Sequence, residues 1–226
     1  MQPFLNSKVV DPRQVRDISG LLLDEHGRLK AVSAEVLAGT TATERAVFGV
    51  RHGVYGFVTH ELVDFVKQLI GGRTAIEIGA GHGLLARELG VLATDNRQQE
   101  RPAIRAYYEA LGQAVVPYGE DVHRLDAHEA LLLHKPQVVV ASWVTHRYDP
   151  ARHEAGGNED GVTEEHIVDA CEAYVFVGNE KVHAAKSLWA RPHQIWRPSW
   201  LYSRAINGTP DFVALWTNPS APPRPG

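Results

Sequence analysis

The apolar positions of the chain change period along its length. In "THELVDFVKQLIGG" Leu62, Val63, Phe65, Val66, Leu69 and Ile70 recur at helical spacing, Thr59 stands where a cap is needed, and Gly71 and Gly72 stop the helix. Directly beyond it, "TAIEIG" over 74–79 is a short apolar run of strand type. "GLLARELG" then predicts a short helix and "VLATD" over 91–95 a second strand. "RPAIRAYYEALG" predicts a helix with proline in its first turn, and "DVHRLDA" a weak, polar strand. "PQVVVASWV" over 136–144 is β-branched and apolar throughout, as a strand buried on both faces should be. A polar loop, "ARHEAGGNEDG", leads to a helix in "TEEHIVDACEA", capped by Thr163, and to another buried strand, "AYVFVG", over 173–178. Two strand-like runs then flank Asn207-Gly208 in "LYSRAINGTPDFVALWTN", a hairpin signal.

Strands that alternate with helices predict an α/β fold, a doubly wound and mostly parallel sheet with right-handed crossovers, here ending in a C-terminal antiparallel hairpin. Ligands of such sheets sit at the carboxyl ends of the strands, where strand order reverses. Residues 1–54 read as an N-terminal helical extension. In it, "TATERAVFGV" places Thr41 three residues before Glu44, the spacing of a capping box. Residues 55–217 form the expected main domain. The tail, 218–226, has too little apolar content to fold and is expected to be disordered.

With 226 residues the chain can bury one large core plus an appendage. A net charge of -4 and a pI near 6.3 imply no global attraction to nucleic acid or anionic membranes. With a single cysteine, Cys171, the chain cannot form an intramolecular disulfide, and neither it nor the histidines show metal-site spacing, so no metal is expected. There is no apolar run of the roughly 20 residues needed for a membrane span, and "MQPFLNSKVVDPRQVR" does not read as a secretion leader. A cytoplasmic protein is the expectation.

The chemistry concentrates at the first strand end, Glu77-Ile78-Gly79-Ala80-Gly81-His82-Gly83. Dinucleotide turns place glycine at first, third and sixth positions. Counted from Gly79, the sixth position is Leu84, which argues against a nicotinamide oxidoreductase. The pattern acid-x-G-x-G-x-G, with Asp95 closing the next strand sixteen residues beyond Gly79, resembles the class I S-adenosylmethionine-dependent methyltransferases over residues 55–217.

That resemblance implies a seven-stranded sheet and S-adenosylmethionine as cofactor. It implies a turn of Glu77, Gly79, Ala80, Gly81 and Gly83 against the cofactor, and Asp95 with Asn96 at the ribose. Asp126 and Ala127 then belong at the adenine, Trp143 on the cofactor wall, and Tyr55 of the lead-in over the site. Each residue also has a plainer reading. Asp95 suits a turn, Trp143 a core position, and Asp126 the cap of a helix beginning in "DAHEALLLH".

Methyl transfer is an in-line displacement that depends on alignment and, for a protonated acceptor, on a base. Candidates follow the fourth and fifth strands in "SWVTHRYDP" and "GNEKVH". His146 is the preferred base because its ordinary pKa lies nearest neutrality; Glu180 is placed to orient or deprotonate a substrate and Asn179 to hold it. Among 12 histidines, one near a strand end also arises by chance. The loop over 149–161 reads equally as a lid or as solvated surface. The fourth strand lacks the Asn/Asp-Pro-Pro-aromatic signature of amino-group methylation on bases. The expected acceptor is therefore a small molecule or a protein side chain, not nucleic acid. A non-catalytic S-adenosylmethionine-binding module is the alternative.

Overall fold

Burial on both faces of the central strands decides the architecture. The computed structural model describes residues 11–219 and 221. Its strands are β1 (Ala75–Ile78), β2 (Leu92–Asp95), β3 (Val122–Arg124), β4 (Val138–Ser142), β5 (Ala173–Asn179), β6 (Gln194–Trp196) and β7 (Asp211–Thr217). They form one sheet in the order β3-β2-β1-β4-β5-β7-β6. Strands β1 to β5 run parallel, and β7 is antiparallel to both β5 and β6. The expected seven-stranded, mostly parallel sheet with an antiparallel C-terminal end is the sheet observed.

Val138, Val140, Val175 and Val177 point to one face of the sheet, where Leu62, Val63 and Val66 of α4 (His60–Ile70) and Leu84, Leu85 and Leu89 of α5 (Leu84–Leu89) cover them. Val139, Ala141, Tyr174 and Phe176 point to the other. There they meet Ala130 and Leu131 of α7 (Ala127–His134) and Ile167 and Val168 of α8 (Glu164–Ala170). Helix α6 (Pro102–Ala110) has no buried residue and stands at the cleft instead. No helix among the described residues is long and apolar enough to cross a membrane.

Local signals act as the sequence indicates. Thr41 and Glu44 form the capping box of α3 (Ala42–His52), and Thr59 caps α4 by accepting the Leu62 N–H at 3.1 Å. Gly71 ends α4 in the left-handed region, at φ 61°, open to glycine without a Cβ penalty. Ahead of these, α1 (Ser19–Leu22), α2 (Ala34–Ala38) and α3 gather Ile18, Leu22, Val32, Leu37, Phe48, Val54 and Phe57 into a separate cluster.

Two expectations are corrected. The strand pairing β7 is residues 194–196, not the run before Asn207: Pro198 ends it, and residues 201–209 are diverted to the end of β5, where Asn207 and Thr209 both donate to the Asn179 amide oxygen. The Thr163 side chain makes no cap bond to α8. The tail reading falls mostly on residues outside those described.

Because its hydroxyl caps α4 from a fully buried position, Thr59→Ala should lower the unfolding free energy by about 1 kcal/mol in urea titration, without loss of α/β circular dichroism.

Candidate functional site

Strand order reverses between β1 and β4, which both lead away from the sheet centre, and a cleft of about 1560 Å³ opens at that point. Its floor is the glycine turn after β1. Gly79, Gly81 and Gly83 all have left-handed φ, at 59°, 56° and 74°. A Cβ on Gly79 would collide with Val144 Cγ1, so the loop after β4 approaches this backbone too closely for any side chain. Gly79, Ala80 and Gly81 line the cleft. Gly83 does not: it caps α5 and faces Val122.

Two carboxyl groups hold this turn from beneath. Glu77, 2% exposed, accepts the Ala86 N–H at 2.8 Å. Asp95, 8% exposed, accepts the Gly81 N–H at 3.0 Å and the Arg97 N–H at 2.7 Å. Burial pushes the Glu77 carboxyl up to about 8, against the Ala86 bond that works the other way; burial also raises Asp95. His82 joins them. Its Nδ1 accepts the Leu84 N–H at 3.2 Å, and burial drives its pKa down to about 4, so the ring is neutral at pH 7.

The walls carry the remaining predicted cofactor residues. Asn96, Asp126, Ala127, Tyr55 and Trp143 all line the cleft. Asp126 is at the same time the N-cap of α7, accepting the His128 and Glu129 N–H groups in a capping box, so the two readings of this residue coexist. Trp143 adopts φ 60°, a region a tryptophan rarely enters, and a Cβ on Gly56 would lie 2.7 Å from its indole nitrogen. Tyr55 packs 6.2 Å from the Trp143 ring. Its hydroxyl lies 2.9 Å from that of Tyr108, and the Arg204 guanidinium covers its face at 3.8 Å.

The predicted catalytic trio is not brought together there. Asn179 is 1% exposed and spends its side chain on Thr209, Asp211 and Asn207. Glu180 is paired with Arg197. His146 pairs its backbone with Val162, and its Nε2 is buried without a hydrogen-bond partner. None of the three lines the cleft. The loop after β4 does cross it. Asn158 donates to Gln98 at 3.1 Å, Asn96 donates to the Asp160 carbonyl at 3.1 Å, and Arg101 meets the Asp160 carboxylate at 2.8 Å. Sequence reasoning missed Arg101, Tyr108 and Arg204 because nothing local marks a residue whose partner lies 53 to 155 positions away.

No protein-family model and no curated protein matches the chain. Solved structures of similar fold include an rRNA methylase from Streptococcus thermophilus, at 17% identity over 70% of this chain and 95% of that one, TM-score 0.39. Precorrin-6y C5,15-methyltransferase from Geobacter metallireducens matches at 12% over 71% and 90%, TM-score 0.36. The 23S rRNA methyltransferase ErmE matches at 14% over 74% and 71%, TM-score 0.36. WbdD, solved with a kinase inhibitor, matches at 10% and TM-score 0.41, and this chain spans only 41% of its length. These likenesses are partial, at TM-scores of 0.36 to 0.41, and the sheet order and the glycine turn described above stand on their own geometry. Two of these neighbours are themselves rRNA methylases, which stands against the expectation that nucleic acid is not the acceptor.

The raised Glu77 pKa fixes the sign of a pH effect. Between pH 4.5 and about 8 the unfolded chain has lost a proton that the folded chain keeps. Glu77 therefore favours folding most below pH 4.5, and that contribution is lost as pH rises through the window, by about 1.4 kcal/mol per unit at most. Glu77→Gln should remove this slope, so the stability difference between variant and wild type should grow from pH 4.5 to 8 and level off above. Urea titrations across that range measure it; a constant difference would mean that Glu77 is ionised throughout.

Proposed function

We propose that the cleft binds S-adenosylmethionine and that the chain transfers its methyl group to an acceptor. One observation carries the choice of cofactor. Three backbone N–H groups of the glycine turn and the start of α5, of the kind that in a dinucleotide site would cradle a pyrophosphate, are already taken by the chain's own acceptors. Asp95 holds Gly81, His82 holds Leu84, and Glu77 holds Ala86. An anion placed there would find those three donors already engaged and two carboxyl groups beneath it. A cofactor with an ammonium and a sulfonium meets the opposite situation: Asp95 is placed to attract a cation, and a cation nearby favours the ionised form of Glu77. The residues present fit S-adenosylmethionine and disfavour NAD.

When bound, the cofactor supplies an electrophilic methyl group on sulfur. The chain's part is to align and enclose. Gly79, Ala80 and Gly81 offer backbone without side chains in the way, Asp95 and Asn96 stand at the end of β2 for hydroxyl groups, and Trp143 and Tyr55 form an aromatic wall. The loop tied through Asn158 and Asp160 is built to exclude water. Cleft volume exceeds the 300–1000 Å³ of ordinary ligand sites, leaving room for an acceptor group of a small molecule, a protein side chain or a nucleotide beside the cofactor. A base is not assigned to His146, Asn179 or Glu180, so the reading rests on alignment.

S-adenosylhomocysteine at a hundred times its Kd should stabilise the fold by about 2.7 kcal/mol, seen as a thermal shift, while NAD and NADP should give none. A shift with NAD alone would reverse the assignment. Asp95→Asn keeps an oxygen for one backbone N–H and removes the charge. It should weaken S-adenosylhomocysteine by tenfold to a hundredfold in titration calorimetry, the value of about 1.5–3 kcal/mol for charged hydrogen bonds. Unchanged affinity in the folded variant would return Asp95 to a purely structural role in the turn.

A further inference from the structure

Behind the β4–β5 end of the sheet lies a charged group that the cleft does not touch. Lys186 and Glu164 have side chains only 1% and 2% exposed, with Nζ 2.6 Å from Oε2. Tyr174 donates to the other Glu164 oxygen at 2.7 Å, and the ammonium lies 4.4 Å from the centre of the Phe176 ring. Withdrawing such a pair from water costs more than its attraction commonly returns, and well-packed apolar replacements are often as stable or more so. Stability alone is therefore a poor account of it.

The ammonium makes one further bond, to the Val144 carbonyl at 2.9 Å. Val144 is the residue whose side chain occupies the space where Gly79 would carry a Cβ. Its neighbours Ser142, Trp143 and Thr145 line the cleft, and Trp143 is held in its left-handed conformation. One residue thus touches the ammonium through its backbone and the cofactor turn through its side chain. We propose that Lys186 is a positioning residue for the cleft: oriented by Glu164 and Tyr174, it pins the Val144 carbonyl and thereby sets the loop after β4 against the glycine turn. A neutral apolar core could fill the same space but could not donate to that carbonyl, and the loop would lose its fixed register over Gly79. The consequence for ligand binding rests on the S-adenosylmethionine reading above; the consequence for the loop does not.

The test compares two variants in one background, Glu164→Leu with Tyr174→Phe. In the first, Lys186→Met leaves the site wholly apolar. In the second, Lys186→Gln restores an uncharged donor for Val144. The Met variant should fold with a Tm equal to or above wild type. Amides of residues 142–147 should nevertheless exchange with deuterium at least tenfold faster, and S-adenosylhomocysteine should bind at least tenfold more weakly. The Gln variant should recover most of both losses. Exchange in 142–147 as slow in the Met variant as in wild type would overturn the inference, as would a Met variant that unfolds, since the group would then serve the core itself. If wild type binds no S-adenosylhomocysteine, the cofactor reading fails, and the exchange measurement still decides the role of Lys186.

Discussion

The cleft depends on two carboxyl groups kept out of water beneath a backbone turn. Parallel pairing of β1 with β2 puts their C-terminal ends side by side, Ile78 opposite Thr94, so that Glu77 and Asp95 emerge into the same small space. Neither meets an arginine or lysine partner at salt-bridge distance there. They are satisfied by backbone N–H groups instead, and these bonds stitch the turn to both strands: Asp95 to Gly81, Glu77 to Ala86, and beside them the Ala80 N–H to the Thr94 carbonyl. The left-handed glycines make these bonds geometrically possible. Burial keeps both pKa values high against the weaker pull of Arg87 and Arg97, so a cationic ligand would favour ionisation of both groups.

That arrangement explains what the sequence revealed and what it hid. Strands were legible because β-branched runs such as "QVVVAS" have few other places to go, and helix starts because Thr41, Thr59 and Asp126 act within three residues. The glycine turn and its two acids were legible for the same reason: each is set by its own strand end. Strand β6 was not, because "QIW" is three residues long and partly exposed, while the more strand-like "LYSRA" is diverted by tethers to Asn179. The catalytic residues failed on similar grounds. Position after a strand indicates that a side chain is near the carboxyl edge, but Asn179 answers a local need for hydrogen bonds and His146 turns inward with the β-bridge to Val162.

Fold and chemistry separate at the same boundary. The sheet and the turn are determined by short-range patterns. The aromatic wall is assembled from four distant segments: Tyr55 before α4, Tyr108 in α6, Trp143 after β4, and Arg204 before β7. Each holds its place through the others, Tyr55 being packed between an indole and a guanidinium with its hydroxyl on a second phenol. Acceptor selection is therefore expected to reside in this wall and in the strap across Asn158 and Asp160.

Charge is used differently on the two sides of the Gly79–Val144 contact. On the cleft side the carboxyl groups have no cation at salt-bridge distance, only the weaker pull of Arg87 and Arg97, which leaves them available to a ligand. On the far side Glu164 has one, Lys186, and the pair is closed to any ligand by burial. A buried acid with a resident cation is electrically quiet and geometrically rigid; one without is responsive. Placing the quiet pair behind Val144 and the responsive pair beneath Gly79 gives the loop after β4 a fixed support that does not compete for the charge of whatever enters the cleft.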